Sequence, residues 1–170
     1  MNVNKLPSCN QHILPDVLKP SLKVVFCGMA AGDKSAKRKA YYAGPGNKFW
    51  HVIHEVGLTS IKLEPPQFER VLRYGLGLTD LVKDQSGGDN TIRNDESYRD
   101  ILHDKILKFK PRILCFNGKN SAKQFLARKV SYGFQMEKIS ETKLFVAPST
   151  SGAANGFWNI DWWYKLADSV

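Results

Sequence analysis

The residues best suited to chemistry are concentrated in one glycine-rich segment, residues 28–50. It contains four glycines, the adjacent tyrosines Tyr41 and Tyr42, and five lysines or arginines. Glycine-rich turns bring main-chain N–H groups close to a ligand, and basic side chains interleaved with aromatic ones suit a site that holds phosphates and stacks a base. The segment has neither the ending of a phosphate-binding P-loop nor the dinucleotide fingerprint. From composition alone, a solvated basic loop with packed tyrosines explains it equally well.

A second polar segment, residues 147–158, has the sequence APSTSGAANGFW. Small hydroxylated residues that follow a strand can donate hydrogen bonds to an anion or to the edge of a base. An ordinary Ser/Thr turn that leads into a helix has the same composition. The segment is therefore a candidate site only in combination with the first one.

Short apolar runs that stop at glycine or proline must position these segments. Such runs predict buried parallel strands at residues 23–27, 112–116 and 143–147. Helical spacing of apolar residues lies between and after them, at 49–56, 68–72, 98–109, 122–126 and 160–166. Strands that alternate with helices predict an α/β fold with a parallel sheet. Since sites in such sheets lie beyond the carboxyl ends of the strands, we expect loops 28–47, 117–120 and 148–157 to meet.

The length of 170 residues suits one domain, predicted at 21–170, preceded by a polar, proline-containing arm at 1–20. The formal net charge of +9 favours a polyanionic partner such as DNA. No apolar run approaches the length that spans a bilayer, and no signal peptide is recognised, so we expect a cytoplasmic, nucleoid-associated monomer without a membrane partner.

The cysteines and histidines indicate no metal site and no other cofactor. Cys9, Cys27 and Cys115 are widely spaced and form no CxxC pair, and the last two lie in apolar runs that predict small buried residues. His51 and His54 lie one helical turn apart, but without cysteine or carboxylate partners at ligand spacing we expect them to be exposed helix residues.

Three segments carry a resemblance to a known family. Residues 41–59, YYAGPGNKFWHVIHEVGLT, resemble the segment after the catalytic motif in the mismatch-specific uracil/thymine DNA glycosylases. Residues 116–119, FNGK, resemble a strand end of the thymine branch, and residues 147–154 resemble the second signature, a loop that enters the minor groove. The order and spacing also match, from about residue 23 to residue 158. The resemblance implies a three-layer α/β/α fold with a short, mainly parallel sheet. It also implies a monofunctional enzyme that flips out and excises uracil, with mismatched thymine and hypoxanthine as further substrates, and leaves an abasic site.

The resemblance also implies roles for individual residues. Tyr42 matches the aromatic residue that stacks on the flipped base, and Asn117 matches a position near that base. Main-chain donors around Ala30, Ala31 and Gly32 would select the base. The residues expected to contact DNA are Lys34, Lys37, Arg38, Lys39, Ser149, Ser151, Gly152 and Ala153.

The sequence departs from the family at the catalytic motif. The usual pattern G-[IM]-N-P-G positions the attacking water through its asparagine, whereas alanines occupy positions 30 and 31 of this chain. Groups with such a role contribute ~10²–10⁴-fold to the rate, so the loss corresponds to about 3–5 kcal/mol of barrier unless another residue replaces it. We rank three substitutes: Asn47, as in the similar hypoxanthine-type glycosylases, then Asp80 after a short apolar run that suggests another strand, then Asp33.

Each substitute has an ordinary structural interpretation. Asn47 has the residue type that caps a following helix, Asp80 has that of a turn or cap residue, and Asp33 is a surface charge paired with Lys34 and Lys37. If none acts, the alternative is a catalytically impaired protein that binds DNA or a damaged base. A small-molecule hydrolase is disfavoured because no GxSxG nucleophile or Ser–His–Asp arrangement is present.

The residue expected to fill the space left by the flipped base is also changed. Ala153 stands where the family has a leucine or arginine, and it is too small to do so. Asn155, Phe157 and Trp158 are the candidate replacements. The two aromatic residues are equally explained as core residues that pack with Trp162 and Trp163.

Overall fold

A computed structural model describes residues 12–170, so Cys9 and the first part of the predicted arm lie outside the described residues. The described strands form one sheet in the order β2-β1-β3-β5-β4, and all neighbours are parallel except β4, which is antiparallel to β5. The predicted α/β class with a mainly parallel central sheet is confirmed. The strands are β1 Val24–Gly28, β2 Leu76–Asp80, β3 Ile113–Asn117, β4 Gly133–Ile139 and β5 Thr142–Ala147.

Helices connect the strands and cover both faces of the sheet. The longest, α3, begins where the Asp95 side chain accepts a hydrogen bond from the Ser97 N–H, and it ends at Lys110, just before Pro111. Three segments form 3₁₀-helices, at Pro65–Tyr74, Asp89–Thr91 and Gly152–Phe157. The α-helices are α1 Asp33–Arg38, α2 Phe49–Glu55, α3 Glu96–Phe109, α4 Lys119–Leu126 and α5 Asp161–Ala167. In the described residues, no helix combines the length and apolarity needed to cross a membrane.

Alternation along β1 divides the core between the two faces of the sheet. Val24 and Phe26 face a cluster that contains the aromatic residues of α2 and α5. Val25 and Cys27 face a second cluster under α3 and α4. Since successive strand side chains point to opposite faces, a run that is buried throughout requires helices on both sides. Cys27 and Cys115 are buried, as their apolar surroundings predict.

Two strands and one helix were not among the elements predicted from periodicity. β2 has the sequence LGLTD, in which Gly77 and Thr79 interrupt the apolar run, although its end at Asp80 agrees with the strand suggested by the preceding apolar run. β4 is an edge strand with mostly exposed side chains, so it has no continuous apolar signal. Helix α1 lies inside the predicted loop 28–47, and the predicted helix after Pro65 is a 3₁₀-helix that is kinked at Gln67.

The described end of the predicted arm is held against the sheet. The Val17 N–H donates to the Leu78 carbonyl, and the Leu78 N–H donates back to Val17, both at 2.9 Å. A Cβ built on Gly77 would lie 2.7 Å from the Val17 carbonyl oxygen, so only glycine permits this approach. Residues 12–20 therefore cover the outer edge of β2 and bring Asp16 close to the carboxyl end of that strand.

Candidate active site

The carboxyl ends of the parallel strands open into one cleft of about 1120 Å³. The three loops expected to meet all contribute to its walls, because their strands are parallel neighbours in the sheet. A fourth wall comes from residues 87–91 after β2. It is joined to the first loop by a hydrogen bond from the Gly87 N–H to the Ala31 carbonyl.

Asp80 ends β2 at the floor of the cleft and is only 5% exposed. Its carboxylate lies against Gly28, the last residue of the neighbouring strand, where a built Cβ would come within 2.7 Å of Oδ1. Burial raises the pKa of Asp80 to about 6; Lys83 and Lys105 oppose this rise, and Asp16 adds to it. A buried carboxyl group that titrates near neutral pH inside a cleft is typical of functional sites.

Tyr42 forms the wall beside Asp80. Its backbone is left-handed, with φ of 52°, and its half-buried ring stacks on Phe49 at a centroid distance of 4.1 Å. Its hydroxyl is buried and has no hydrogen-bond partner among residues 12–170, although Asn117 lies beside it without hydrogen-bond geometry. Burial and the Asp80 charge raise the pKa of this hydroxyl. A buried polar group without a partner marks a place where a water or ligand atom is expected.

The Tyr42 hydroxyl and the Asp80 carboxylate approach the same point of the cleft. The position of a Cβ on Gly28 lies 3.6 Å from the hydroxyl oxygen and 2.7 Å from Asp80 Oδ1. The Asp80 carboxylate accepts no hydrogen bond from residues 12–170, and only burial and nearby charges shift its pKa. A proton acceptor and an unpartnered hydroxyl thus border one small space above Gly28.

Asn117 connects the end of β3 to the loop after β5. Its Nδ2 donates to Thr150 Oγ1 at 2.9 Å, and its Oδ1 accepts from the Thr150 N–H at 3.0 Å. An amide nitrogen has two hydrogens, so one donor of this cleft-lining side chain remains available. The Lys48 N–H donates to the Thr150 carbonyl and ties the same loop to the segment before α2.

Asn47 lines the cleft, and its side-chain oxygen makes one local hydrogen bond. Oδ1 accepts from the Phe49 N–H at 3.0 Å, but the N-cap residue of α2 is Lys48, so Asn47 lies one residue before the cap position. Its Nδ2 group and the second lone pair of its oxygen remain for a ligand. Asp33 is exposed in the first turn of α1 at the edge of the cleft, and in the described part of the chain it forms no ion pair with Lys34 or Lys37.

Comparison with known proteins agrees with this architecture. The family model of the uracil DNA glycosylase superfamily matches residues 15–166. The chain belongs to this superfamily. Its fold is also similar to the solution NMR structure of a Methanosarcina acetivorans protein to which uracil DNA glycosylase activity is ascribed. The TM-score is 0.59 with 20% sequence identity, covering 91% of this chain and 92% of the other.

Membership of the superfamily supports DNA glycosylase activity, with DNA as the substrate. In this member the strand-end segment at 30–32 lines the cleft and has no polar side chain. Any hydrogen bond that this segment makes to a base must therefore come from its main chain. Among the described residues, no three His, Cys, Asp or Glu side chains are grouped as a metal site, and His51 is an exposed residue of α2 that contacts Glu55 at 2.8 Å.

The expected DNA-contacting residues fall into two groups. Lys34 lines the cleft, as do residues 149–153, whereas Lys37 and Arg38 at the end of α1 and Lys39 just after it are exposed outside the cleft lining. Arg38 also donates to the Ala43 carbonyl at 2.8 Å and so braces the loop that carries Tyr42. Among the cleft-lining residues, the hydroxyls of Ser149 and Ser151 accept hydrogen bonds from main-chain N–H groups of their own loop.

The aromatic residues near Ala153 have different environments. Phe157 lines the cleft and is 76% exposed, whereas Trp158 packs against the buried Trp163. The core interpretation thus holds for Trp158 and is wrong for Phe157. The sequence did not single out Lys119 or Thr150 within the loops expected to meet, and the loop at 87–91 was not expected as part of the cleft. The turn-forming run SGGDN after β2 was the available signal for the loop.

Proposed function

We propose that the protein is a monofunctional DNA glycosylase that excises uracil from DNA and leaves an abasic site, with mismatched thymine and hypoxanthine as further substrates. The observation that carries the proposal is the buried Asp80 carboxylate beside the Tyr42 hydroxyl at the floor of the cleft. The resemblance of residues 41–59 and 147–154 to the mismatch-specific branch supports the choice of substrates.

The reaction exchanges one bond at C1′ of the deoxyribose. The bond to the base nitrogen breaks, its electron pair leaves with the base, and the sugar becomes oxocarbenium-like. Ionised Asp80 stabilises the developing positive charge and accepts a proton as a water oxygen bonds to C1′. The Tyr42 hydroxyl accepts or donates the second hydrogen bond that holds this water. The proton then passes to the departing base or to solvent, which returns Asp80 to its ionised form.

Asp80 replaces Asn47 as the first-ranked catalytic residue in this proposal. Asn47 is a half-buried, neutral carboxamide, so it cannot supply the negative charge that an oxocarbenium-like state favours, and its Oδ1 already accepts one hydrogen bond from the Phe49 N–H. Asp33 is exposed, and its carboxylate lacks the low-dielectric environment that strengthens electrostatic effects. Of the three ranked candidates, Asp80 alone combines burial, a cleft position and a raised pKa.

Base recognition in this proposal uses one ring and two kinds of donor. The exposed part of the Tyr42 ring stacks on the flipped base, and the remaining Nδ2 hydrogen of Asn117 donates to a base carbonyl. Main-chain groups at 30–32 complete the contacts. This arrangement suits a base with carbonyl oxygens at its edge, as in uracil, thymine and hypoxanthine.

DNA is held by the basic surface and by the loop after β5. Lys34 and the three basic residues at 37–39 contact the backbone phosphates, and the main chain of residues 149–153 contacts the strand beside the lesion. Phe157, rather than Ala153, enters the space that the flipped base leaves. An exposed aromatic residue at the cleft has the size and position for this role.

An excision assay tests the proposal. Labelled duplexes that contain uracil, a G·T mismatch, hypoxanthine or xanthine are incubated with the protein and then treated with alkali. We expect strand cleavage with uracil, and at least about 100-fold slower single-turnover cleavage by the Asp80→Asn variant with DNA binding retained. Asn47→Ala is the matched comparison, and we expect it to lose stability rather than the chemical step. Binding without cleavage on every substrate would favour the catalytically impaired binding protein instead.

A further inference from the structure

A cluster of charged side chains lies beside Thr79, which precedes Asp80 in β2, and its members do not line the cleft. Asp16 is at its centre: Oδ1 lies 3.1 Å from Lys83 Nζ, and Oδ2 lies 2.7 Å from Lys105 Nζ. Thr79 Oγ1 donates to Asp16 at 2.7 Å and accepts from Lys105 at 3.2 Å. Three parts of the chain meet here, since Asp16 comes from the N-terminal segment, Lys83 follows β2 and Lys105 lies on α3.

The lysines of the cluster are unusually sheltered from solvent. The side chains of Lys83 and Lys105 are 7% and 12% exposed. Lys83 also donates to the Tyr41 hydroxyl at 2.8 Å, and that hydroxyl donates to the Pro15 carbonyl at 2.9 Å. Buried charges are costly unless they are paired and hydrogen-bonded. Two lysines and only one aspartate leave one unbalanced positive charge beside the carboxyl end of β2.

The titratable groups near Asp80 come from every element packed around it. β1 contributes Cys27, the segment before α2 contributes Tyr41 and Tyr42, and the N-terminal segment contributes Asp16, with His12 beyond it. Burial raises the pKa of the Cys27 thiol and of both tyrosine hydroxyls, so these groups stay neutral. The permanent charges that act on Asp80 are therefore those of Asp16 and of the two lysines.

We propose that Asp16, Lys83 and Lys105 form a positioning network that keeps Asp80 ionised at neutral pH and ready to act in the reaction. The proposal rests on the proposed function of Asp80. The lysines supply the positive charge, and Asp16 holds both of them in place while it neutralises part of that charge. The N-terminal segment that crosses β2 thus belongs to the active site, where Leu14 also lines the cleft.

Removing a lysine and removing the charge of Asp16 are expected to displace the acid limb of the pH–rate profile in opposite directions. Removing a lysine removes attraction for the Asp80 carboxylate, so the acid limb of the pH–rate profile moves to higher pH. Removing the charge of Asp16 removes repulsion, so the limb moves to lower pH. We expect a displacement of about one pH unit in each case, the lower end of the effect of a single nearby charge.

The test compares kcat/KM for uracil excision between pH 4.5 and 9 in Lys83→Met, Lys105→Met and Asp16→Asn. Lys108→Met is the control, because Lys108 is exposed on the same helix as Lys105. Lys105→Arg keeps the positive charge, so we expect its acid limb to coincide with that of the native protein. Carbon-13 NMR titration of the Asp80 carboxyl group measures the same displacement without turnover. Lys105→Met keeps the test valid if Lys83→Met does not fold.

Opposite displacements for the lysine and aspartate variants, with an unchanged control, support the network. Identical limbs in all variants, or displacements of the same sign, would overturn it even where Asp80→Asn is inactive. If instead Asp80→Asn excises uracil normally, the proposed role of Asp80 fails. The NMR titration still reports whether the cluster controls its charge.

Discussion

Replacing Asp80 with asparagine exchanges a buried carboxylate for a neutral side chain of nearly the same shape. We expect this change to abolish excision and also to stabilise the fold at neutral pH. The reason is that Asp80 is buried against Gly28 and its charged form is disfavoured there. Functional residues held in an unfavourable state often limit stability in this way.

The size of the effect follows from the pKa of Asp80. It rises from an ordinary value of 3.8 to about 6 in the folded protein, and each pKa unit corresponds to about 1.4 kcal/mol. The folded state binds the proton more tightly than the unfolded state, so stability falls as pH rises from about 4 to about 6. Above pH 6 the ionised carboxylate costs about 3 kcal/mol, and at pH 4.5 the cost is about 1 kcal/mol.

Urea unfolding at pH 7.5 and pH 4.5 measures this difference directly. We expect the free energy of unfolding of Asp80→Asn to exceed that of the native protein by about 3 kcal/mol at the higher pH and by about 1 kcal/mol at the lower. Asp104→Asn is the matched control, because the Asp104 side chain is 83% exposed on α3. Its stability should change by less than about 0.5 kcal/mol.

A destabilised Asp80→Asn variant at pH 7.5 would refute the reasoning. It would mean that Lys83 and Lys105 stabilise the carboxylate by more than its burial costs. Asp80 would then be one partner of a structural ion cluster rather than a poised reactive group. An equal change in stability at both pH values would also contradict the argument, because it would separate the effect from the titration of Asp80.

Three further predictions concern the floor, the rim and the DNA surface of the cleft. Gly28→Ala places a Cβ against the carboxylate at the end of β2 and should cost about 1–3 kcal/mol and most of the excision rate. Gly32→Ala, which meets nothing within 4 Å, should not destabilise the fold in the same urea titration. Phe157→Ala should slow excision from duplex DNA by about 10-fold and leave single-stranded substrates unaffected, because only paired bases must be unstacked; equal losses on both would rule out the wedge. Replacing residues 37–39 with alanine should make DNA binding less dependent on salt. In a binding titration, the negative slope of log binding constant against log salt concentration should become shallower by about 2–3. An unchanged slope would place the phosphates elsewhere.

Much of the fold follows from local apolar patterns. The runs that become β1, β3 and the last four residues of β5 are buried on both faces, so each is apolar and ends at glycine, proline or a polar residue. β4 lacks this pattern because it lies at the edge and exposes most of its side chains. The 3₁₀ form of the segment after Pro65 depends on its kink at Gln67, which periodicity does not reveal.

The chemistry of the cleft depends on contacts between distant parts of the chain. Asn47 is a good candidate by residue type, but it is a neutral, half-buried side chain whose oxygen makes a local hydrogen bond to the Phe49 N–H. Asp80 gains its properties from Gly28 on the next strand and from charges on the N-terminal segment and α3. No sequence spacing indicates those contacts, since they form only when the sheet assembles.

The amino-acid sequence by itself determined the α/β class, the loops that meet at the strand ends and the segments that resemble DNA glycosylases. Local periodicity and short motifs are sufficient for these features. Only the tertiary structure decided which carboxylate lies at the floor of the cleft, which aromatic residue is exposed at its rim and which charges surround Asp80. Burial and electrostatic environment are properties of packed neighbours, and the chain acquires them when residues far apart in sequence come into contact.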